Sequence, residues 1–379
     1  MQFSPQQQQA LDAVNTWLRY TDTQVLYLAG YAGTGKTTLA KYLQASYYAA
    51  FTGKAASVLR SKGCPDATTI HSLIYHPKSK SEKRLMELLQ QQQAHPSPAT
   101  VREIEREREN LRKPSFTLNL ESPLRRAKLL VVDECSMVDE QVGTDLLSFG
   151  CKVLVLGDPF QLPPVYGGGY FTNRTPDVLL TEIHRQARGN PVLDLATRLR
   201  TNGYLPRSHT LVRPRRNLQP QDMLAVDQLI VGRNNTRHTI NQKMRTLLGY
   251  TGPAPQPGER VVCLRNNHLL GILNGALYQV VAAHYASDCV SMVVLDETTG
   301  QHIDVAAHPE PFLGEKVDYR TAMDMDSFDY GYALTCHKSQ GSQWNSVGVL
   351  DESGAFKQNA ARWLYTAITR AAEDLWVAV

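Results

Sequence analysis

Hydrophobic positions along this chain fall into three patterns, and each predicts a different kind of element. Uninterrupted apolar runs occupy residues 25–29 (Val-Leu-Tyr-Leu-Ala), 129–132 (Leu-Leu-Val-Val) and 153–156 (Val-Leu-Val-Leu), each followed by Gly or Asp. Strands buried on both faces of a parallel sheet read this way, and ligands collect at their carboxyl ends. The runs therefore predict an α/β domain. Residues 77–113 change character, with charges from Lys78 to Arg84, glutamines at Gln90–Gln93, a Pro-rich break and helically spaced charges over Val101–Arg108. They predict a surface insertion, either a solvated helical hairpin or a segment in direct contact with a ligand.

A second helix-and-strand region runs from about 170 to 250, where Pro253, Pro255 and Pro257 punctuate the chain. Between 259 and 306 the pattern becomes short β-type runs (Arg260–Leu264, Ala276–Val281, Ser291–Leu295) separated by Asn, Gly and Asp turns. A small barrel-like inserted module is the economical reading. From Tyr330 the α/β character returns, with a strand over Val347–Leu350 and a helix over Ala360–Thr369. No internal repeat of fixed period is present.

At 379 residues and 42% apolar composition the chain can fold two or three domains with their own cores. No run reaches the roughly 18 apolar residues of a membrane span, and Met1–Pro5 has none of the features of a signal peptide, so a cytoplasmic location with no membrane partner is expected. The 6 cysteines are scattered without the short paired spacing of a zinc or redox site, which predicts buried thiols. A net charge of +4 is compatible with a nucleic-acid partner without demanding one.

The strongest local signal is Gly30-Tyr31-Ala32-Gly33-Thr34-Gly35-Lys36-Thr37, set between an apolar strand and a helix. Glycines let such a backbone curl until its N–H groups point at phosphate oxygens; the lysine neutralises the terminal phosphates and the final hydroxyl suits Mg²⁺. Hydrolysis of a bound triphosphate further requires a metal-holding carboxylate and a base. Val131-Val132-Asp133-Glu134 offers both, with Asp133 suited to the metal shell and Glu134 able to accept a proton from water. The third apolar run leads into Gly157-Asp158-Pro159-Phe160-Gln161-Leu162-Pro163-Pro164, where Gln161 can sense a γ-phosphate.

Together the phosphate loop, Asp133–Val138 and Gly157–Val165 resemble motifs I, II and III of superfamily 1 helicases, above all the RecD/Dda group of superfamily 1B. The series continues in order. Ser4-Pro5-Gln6-Gln7 resembles the adenine-reading Q motif, with Gln7 the best-matched residue; Thr52–Ala56 resembles motif Ia and Thr68–Leu73 the strand-contact motif after it. Glu182–Gln186 resembles motif IV, Leu334–Ser342 motif V and Leu364–Ala371 motif VI. The match runs nearly end to end apart from the two insertions; Cys135 stands where the group commonly has Ala.

The resemblance implies two tandem RecA-like P-loop domains, an α/β fold, with residues 1–75 and 123–169 forming the first and 170–255 with 327–379 the second. It makes 76–122 the insertion where related enzymes place a strand-separating pin, and 256–326 a small SH3-like β-barrel. It implies ATP and Mg²⁺ as cofactors. Nucleotide contacts fall to Gln7, Gly30, Ala32, Gly33, Thr34, Gly35, Lys36, Thr37, Thr38, Asp133, Glu134, Gln161, Arg185, Gly341 and Arg370, with Thr37 and Asp133 on the metal. Arg185 and Arg370, one from motif IV and one from motif VI, would stabilise charge building on the transferred phosphoryl group. Thr52, Lys54, His71, Thr335, His337 and Lys338 fit contacts to the phosphates of single-stranded DNA. Arg213, Arg215 and Arg216 would extend that backbone-tracking surface or form a solvated loop.

The implied activity is ATP-driven translocation on single-stranded DNA, 5′→3′, coupled to unwinding of fork or tailed-duplex DNA by a monomer, with single-strand-binding or replication proteins as further partners. Two other classes share parts of this machinery. A translocase that strips proteins without unwinding would keep every ATPase residue and lack an apolar or aromatic wedge near Phe116. A non-catalytic ATP-gated binding module would lack Glu134 or an arginine, and all are present.

Overall fold

The computed structural model describes residues 3–77, 83–112, 116–164, 169–183, 189–267, 270–286, 288–297, 299–315, 317 and 325–379. Its first sheet is wholly parallel and contains β1 (Val25–Gly30), β2 (Tyr47–Ala50), β3 (Thr68–Thr69), β6 (Leu129–Asp133), β7 (Lys152–Gly157) and β8 (Val178–Leu180), in the order β3-β2-β6-β7-β1-β8. The three apolar runs are its centre, where β6 is buried at every position and β1 and β7 at all but their first. Helix Pro5–Tyr20 covers one face. Ser4 caps it through a reciprocal bond with Gln7, Pro5 opens its first turn, and Ala10, Leu11, Val14 and Trp17 form its buried stripe.

Strand order decides what stands beside what. The carboxyl ends of β1, β7 and β6 are adjacent, roughly 4.8 Å apart from strand to strand. Gly30–Lys36, Asp158 and Asp133 are thereby brought side by side, while the ends of β2 and β3 present Thr52 and His71 further along the same edge.

The insertion after β3 is an antiparallel pair, β4 (Tyr75–Pro77) with β5 (Phe116–Leu118), from which two helices rise, Lys83–Ala94 and Pro98–Arg112. Leu85, Leu88 and Ile104 close a small core between those helices. The described residues thus form a helical hairpin on a two-stranded base.

A second parallel sheet has the order β16-β10-β17-β18-β9, from β9 (Val212–Arg213), β10 (Gln228–Val231), β16 (Ala333–Thr335), β17 (Trp344–Leu350) and β18 (Ala371–Ala378). Helices Pro191–Asn202 and Ala360–Ile368 pack on it through Leu195, Leu199, Trp363 and Leu364.

Between β10 and β16 the chain forms an antiparallel sheet, β14-β13-β12-β11-β15, from β11 (Arg260–Cys263), β12 (Leu277–Tyr285), β13 (Val290–Asp296), β14 (His302–Ala307) and β15 (Phe328–Tyr330). A bridge from Ala307 to Asp326 joins the end of β14 to the segment entering β15, which closes the strands into a ring. β15 lies past residue 326, so the module takes its fifth strand from the segment that returns to the second parallel sheet. The ring is mounted by a buried ion pair. Arg245 grips Glu259 through Nε (2.7 Å) and Nη2 (3.0 Å), and Tyr332 and the Gln256 amide complete the carboxylate's partners. No helix among the described residues is long and apolar enough to cross a membrane.

Candidate functional site

Gly33 and Gly35 adopt φ of 79° and 80°, a region that side chains disfavour, and this lets the loop after β1 curl back on itself. Gly30 is required for space instead, since a Cβ there would stand 2.6 Å from Thr34 Oγ1. Lys36 opens helix Lys36–Ala40 and donates to the carbonyls of Gly30 (2.6 Å) and Tyr31 (3.1 Å), so its ammonium lies across the mouth of the loop. Thr37 and Thr38 follow in the same turn. Gln7 is buried and donates to Thr34 O at 3.2 Å, tying the first helix to the loop.

Asp133 ends β6 wholly buried. Burial, reinforced by the charge of Glu134, raises its carboxyl above the ordinary range, while a hydrogen bond from the Thr37 hydroxyl and the charge of Lys36 oppose the rise. A buried carboxylate beside a hydroxyl is a pair of hard oxygen donors, the set a divalent cation of the magnesium kind takes together with phosphate oxygens. Among the described residues no group of three or more His, Cys, Asp or Glu gathers as a larger metal cage.

Glu134 has φ 54° and ψ 43°, a left-handed conformation that costs a non-glycine residue about 1–3 kcal/mol. Its backbone N–H donates to Asp133 Oδ1 at 2.9 Å. With its amide oriented to satisfy both neighbours, Gln161 donates to Glu134 Oε2 and accepts from Arg370 Nη2, each at 3.1 Å. Arg370 is buried and donates further to Thr366 O (3.0 Å) and Ser342 O (3.1 Å). One glutamine thus links an acid at the end of the first parallel sheet to an arginine of the second.

Other bonds cross the same junction. The Tyr365 hydroxyl donates to Asp158 Oδ2 (2.7 Å) and accepts from Ala32 N (3.0 Å). Leu162 N donates to Thr366 Oγ1 (2.9 Å), and Gln340 Nε2 donates to Leu162 O (3.0 Å). Gly341, at φ 77°, sits against Thr52, where a Cβ would come within 2.9 Å of Oγ1.

Comparison with known proteins places this arrangement. Residues 2–213 match the AAA domain family and residues 330–378 the UvrD-like helicase C-terminal domain. The chain belongs to the AAA domain family, and its segment 330–378 is similar to UvrD-like helicase C-terminal domains. It is 28% identical over 283 residues to the ATP-dependent RecD2 DNA helicase of Deinococcus radiodurans, an alignment covering 66% of this chain and 36% of that protein. This chain therefore spans about a third of that relative's length. Its fold is shared with the Pif1 helicase from Candida albicans (TM-score 0.58, 19% identity, 100% of this chain and 94% of that one). It is shared equally with Bacteroides Pif1 bound to ssDNA (TM-score 0.58, 18% identity, 100% and 92%).

In this chain the candidate strand contacts divide into two groups. Thr52 meets Gly341 of the nucleotide set where the two parallel-sheet units adjoin. Thr52 caps helix Gly53–Ser61 through the Ala55 amide, and a loop of the antiparallel module reaches the same place, with Leu273 packed on Gly53 and Gly275 beside the Lys338 carbonyl. Lys54 lies in the first turn of that helix. Thr335 caps the short helix Cys336–Ser339, which carries His337 and Lys338. Burial pulls the Lys338 ammonium down, as does the nearby Arg237 charge, and burial lowers His337 as well.

His71 belongs to an aromatic cluster at the base of the insertion. Its ring lies 5.6 Å from Phe51, 5.4 Å from Tyr75 and 5.4 Å from Phe116 by centroids. Burial lowers its imidazole, with Asp139 opposing. Of the basic cluster, Arg213 is paired with Asp222 at 2.9 Å and lies over the Trp376 ring, and Arg215 donates to Asp351 O. Arg213 is thus half-buried with its partners, while Arg215 stays exposed although its guanidinium is bonded. Arg185 lies outside the described residues.

Sequence reading assigned no role to Asp158 or Tyr365, although both fall inside matched motifs. The available signal was an acid just after a buried strand and a tyrosine hydroxyl on the apolar stripe of a helix.

Proposed function

We propose that this chain is an ATP-driven DNA helicase that steps 5′→3′ along single-stranded DNA and separates duplex ahead of it. The observation that carries the reading is Gln161 held between Glu134 and Arg370, because it gives the acid and the arginine one shared element that answers to the γ-phosphate. ATP binds in the loop Gly30–Thr37, with Gln7 behind it and Lys36 exchanging the Gly30 and Tyr31 carbonyls for phosphate oxygens. Thr37 and Asp133 are the fitting holders of Mg²⁺, which when bound neutralises charge on the phosphates. Glu134 takes the proton of the attacking water, and Arg370, with Arg185 as its expected companion, stabilises the charge that develops.

The two parallel sheets are the cores of tandem RecA-like domains, 1–75 with 123–169 and 170–255 with 327–379. Closure on ATP and opening after hydrolysis alternate the grip of Thr52, Lys54 and His71 against that of Thr335, His337 and Lys338. The closed antiparallel ring acts as the SH3-like insertion. The 76–122 insertion serves as the pin, supported by Phe116, which is 44% exposed yet packed edge-on against His71 and at a tilt against Tyr75 at its base. That exposure favours unwinding over translocation alone.

Polarity rests on the resemblance to superfamily 1B, since no residue sets direction by its chemistry. Six free thiols suit a reducing compartment such as the cytoplasm. Action as a monomer, and in replication or repair alongside a single-strand-binding protein, completes the reading. The decisive test is strand displacement on 5′-tailed and 3′-tailed duplexes with an RNA control. ATP-dependent displacement of the 5′-tailed DNA alone is expected; ATP turnover with no displacement would leave a protein-stripping translocase.

A further inference from the structure

Three consecutive residues of the phosphate loop are held from outside by the second parallel-sheet unit. The Arg200 guanidinium lies 3.8 Å from the centroid of the Tyr31 ring. Tyr365 accepts from the Ala32 amide at 3.0 Å. Leu193 packs on Gly33 so closely that a Cβ there would lie 3.0 Å from its Cδ1. Leu193 and Arg200 are two turns apart on one face of helix Pro191–Asn202, whose adjoining face, through Val192, Leu195, Ala196 and Leu199, is anchored in the second unit's core. The loop that must curl around phosphate is therefore clamped by a rigid helix belonging to the other half of the protein.

The chemistry of the outermost contact is specific. A planar guanidinium stacks on an aromatic face in a way an ammonium cannot, and a tyrosine at the second position of the loop supplies that face. We propose that Arg200 is a positioning residue for the nucleotide: stacked on Tyr31, it holds the phosphate loop closed and couples release of a nucleoside diphosphate to separation of the two units. Release then requires the Arg200–Tyr31 stack to part. A partly shielded stack of this kind changes a rate or equilibrium by about 2- to 30-fold.

The inference rests on the nucleotide site proposed above, and its test separates the two. A fluorescent ADP analogue is bound to the full chain and displaced by excess ATP in a stopped-flow measurement. Arg200→Met and Tyr31→Leu are each expected to speed release by a factor within that range. The double variant is expected to be no faster than either single one, because both substitutions remove one contact. Tyr31→Phe keeps the ring and should release at the unsubstituted rate. Unaltered release in Arg200→Met, additive effects in the double variant, or Tyr31→Phe behaving as Tyr31→Leu would each overturn the latch. Failure of the unsubstituted chain to bind the analogue at all would overturn the nucleotide site itself, and the latch with it.

Discussion

The Tyr365 hydroxyl meets Asp158 Oδ2 at 2.7 Å, in a contact buried between the two parallel-sheet units. Asp158 is 1% exposed, and burial raises its carboxyl; the charge of Lys36, the Phe160 amide and Tyr365 itself hold the ionised form against that rise. Tyr365→Phe removes one donor from a buried carboxylate, which should cost about 1–3 kcal/mol of stability. The sign with pH follows from the raised carboxyl. Stability linked to it is fully present below the ordinary carboxylate range near pH 4 and is lost as pH rises through the folded value. The missing donor served the ionised form, so the deficit of Tyr365→Phe should grow as pH rises from the ordinary carboxylate range near 4. Denaturant unfolding over a pH series from about 4 to 8 measures it, and a deficit that does not change across the series would show that Tyr365 does not stabilise the Asp158 charge.

Lys36→Ala should abolish ATP turnover while leaving binding to single-stranded DNA, since the ammonium faces the loop and none of the proposed strand contacts. Glu134→Gln keeps the size of the side chain and removes the base, so ATP should bind and persist in a closed state. Filter binding of labelled ATP with parallel phosphate release tests both. Normal hydrolysis by Glu134→Gln would remove that residue from the role of base.

The phosphate loop and the central strands were legible in the sequence because each is encoded in one contiguous stretch. The glycines at 33 and 35 and the apolar runs need no distant partner to be read. Tyr365 reaches Ala32 across 333 positions, a relation that no periodicity records. Arg213 reads as surface charge until Asp222 and Trp376 are seen around it. β15 was hidden for another reason: Phe328–Tyr330 is three residues long, too short for a β pattern of its own, and pairs with β11 far upstream.

The salt dependence of DNA binding should distinguish two members of the proposed strand contact. Lys54 brings a cation to the phosphates, and Lys54→Ala should reduce the slope of log affinity against log salt by about 0.7. His71, lowered by burial, is neutral at pH 7.5, so His71→Gln should leave that slope unchanged there. Protonation adds a charge only as pH falls below the ordinary imidazole value near 6.5. Affinity of the unsubstituted protein should then rise at low pH, and His71→Gln should flatten the rise. Fluorescence anisotropy over a salt series at pH 7.5 and 5.5 would show it, and a reduced slope for His71→Gln at pH 7.5 would contradict the neutral assignment.

Phe116 separates unwinding from translocation because it lies on the insertion, away from every residue of the nucleotide site. Its ring is backed by His71 at 5.4 Å and Tyr75 at 5.8 Å, and Tyr75 is in turn fixed by a 2.6 Å bond to Asp145. The exposed face therefore has a rigid support, which a wedge needs if it is to unstack bases instead of yielding to them. Base–aromatic stacking is worth roughly 1–3 kcal/mol per base, similar to the cost of opening one base-pair step. Phe116→Ala should lower the rate of strand displacement by about 5- to 150-fold, at about 1.4 kcal/mol per factor of ten, while ATP turnover stimulated by single-stranded DNA stays within about twofold. Displacement and turnover measured on the same preparation make the comparison. Equal losses in both would move Phe116 from the wedge to the strand-binding track, and no loss in either would leave the insertion without a part in opening the duplex.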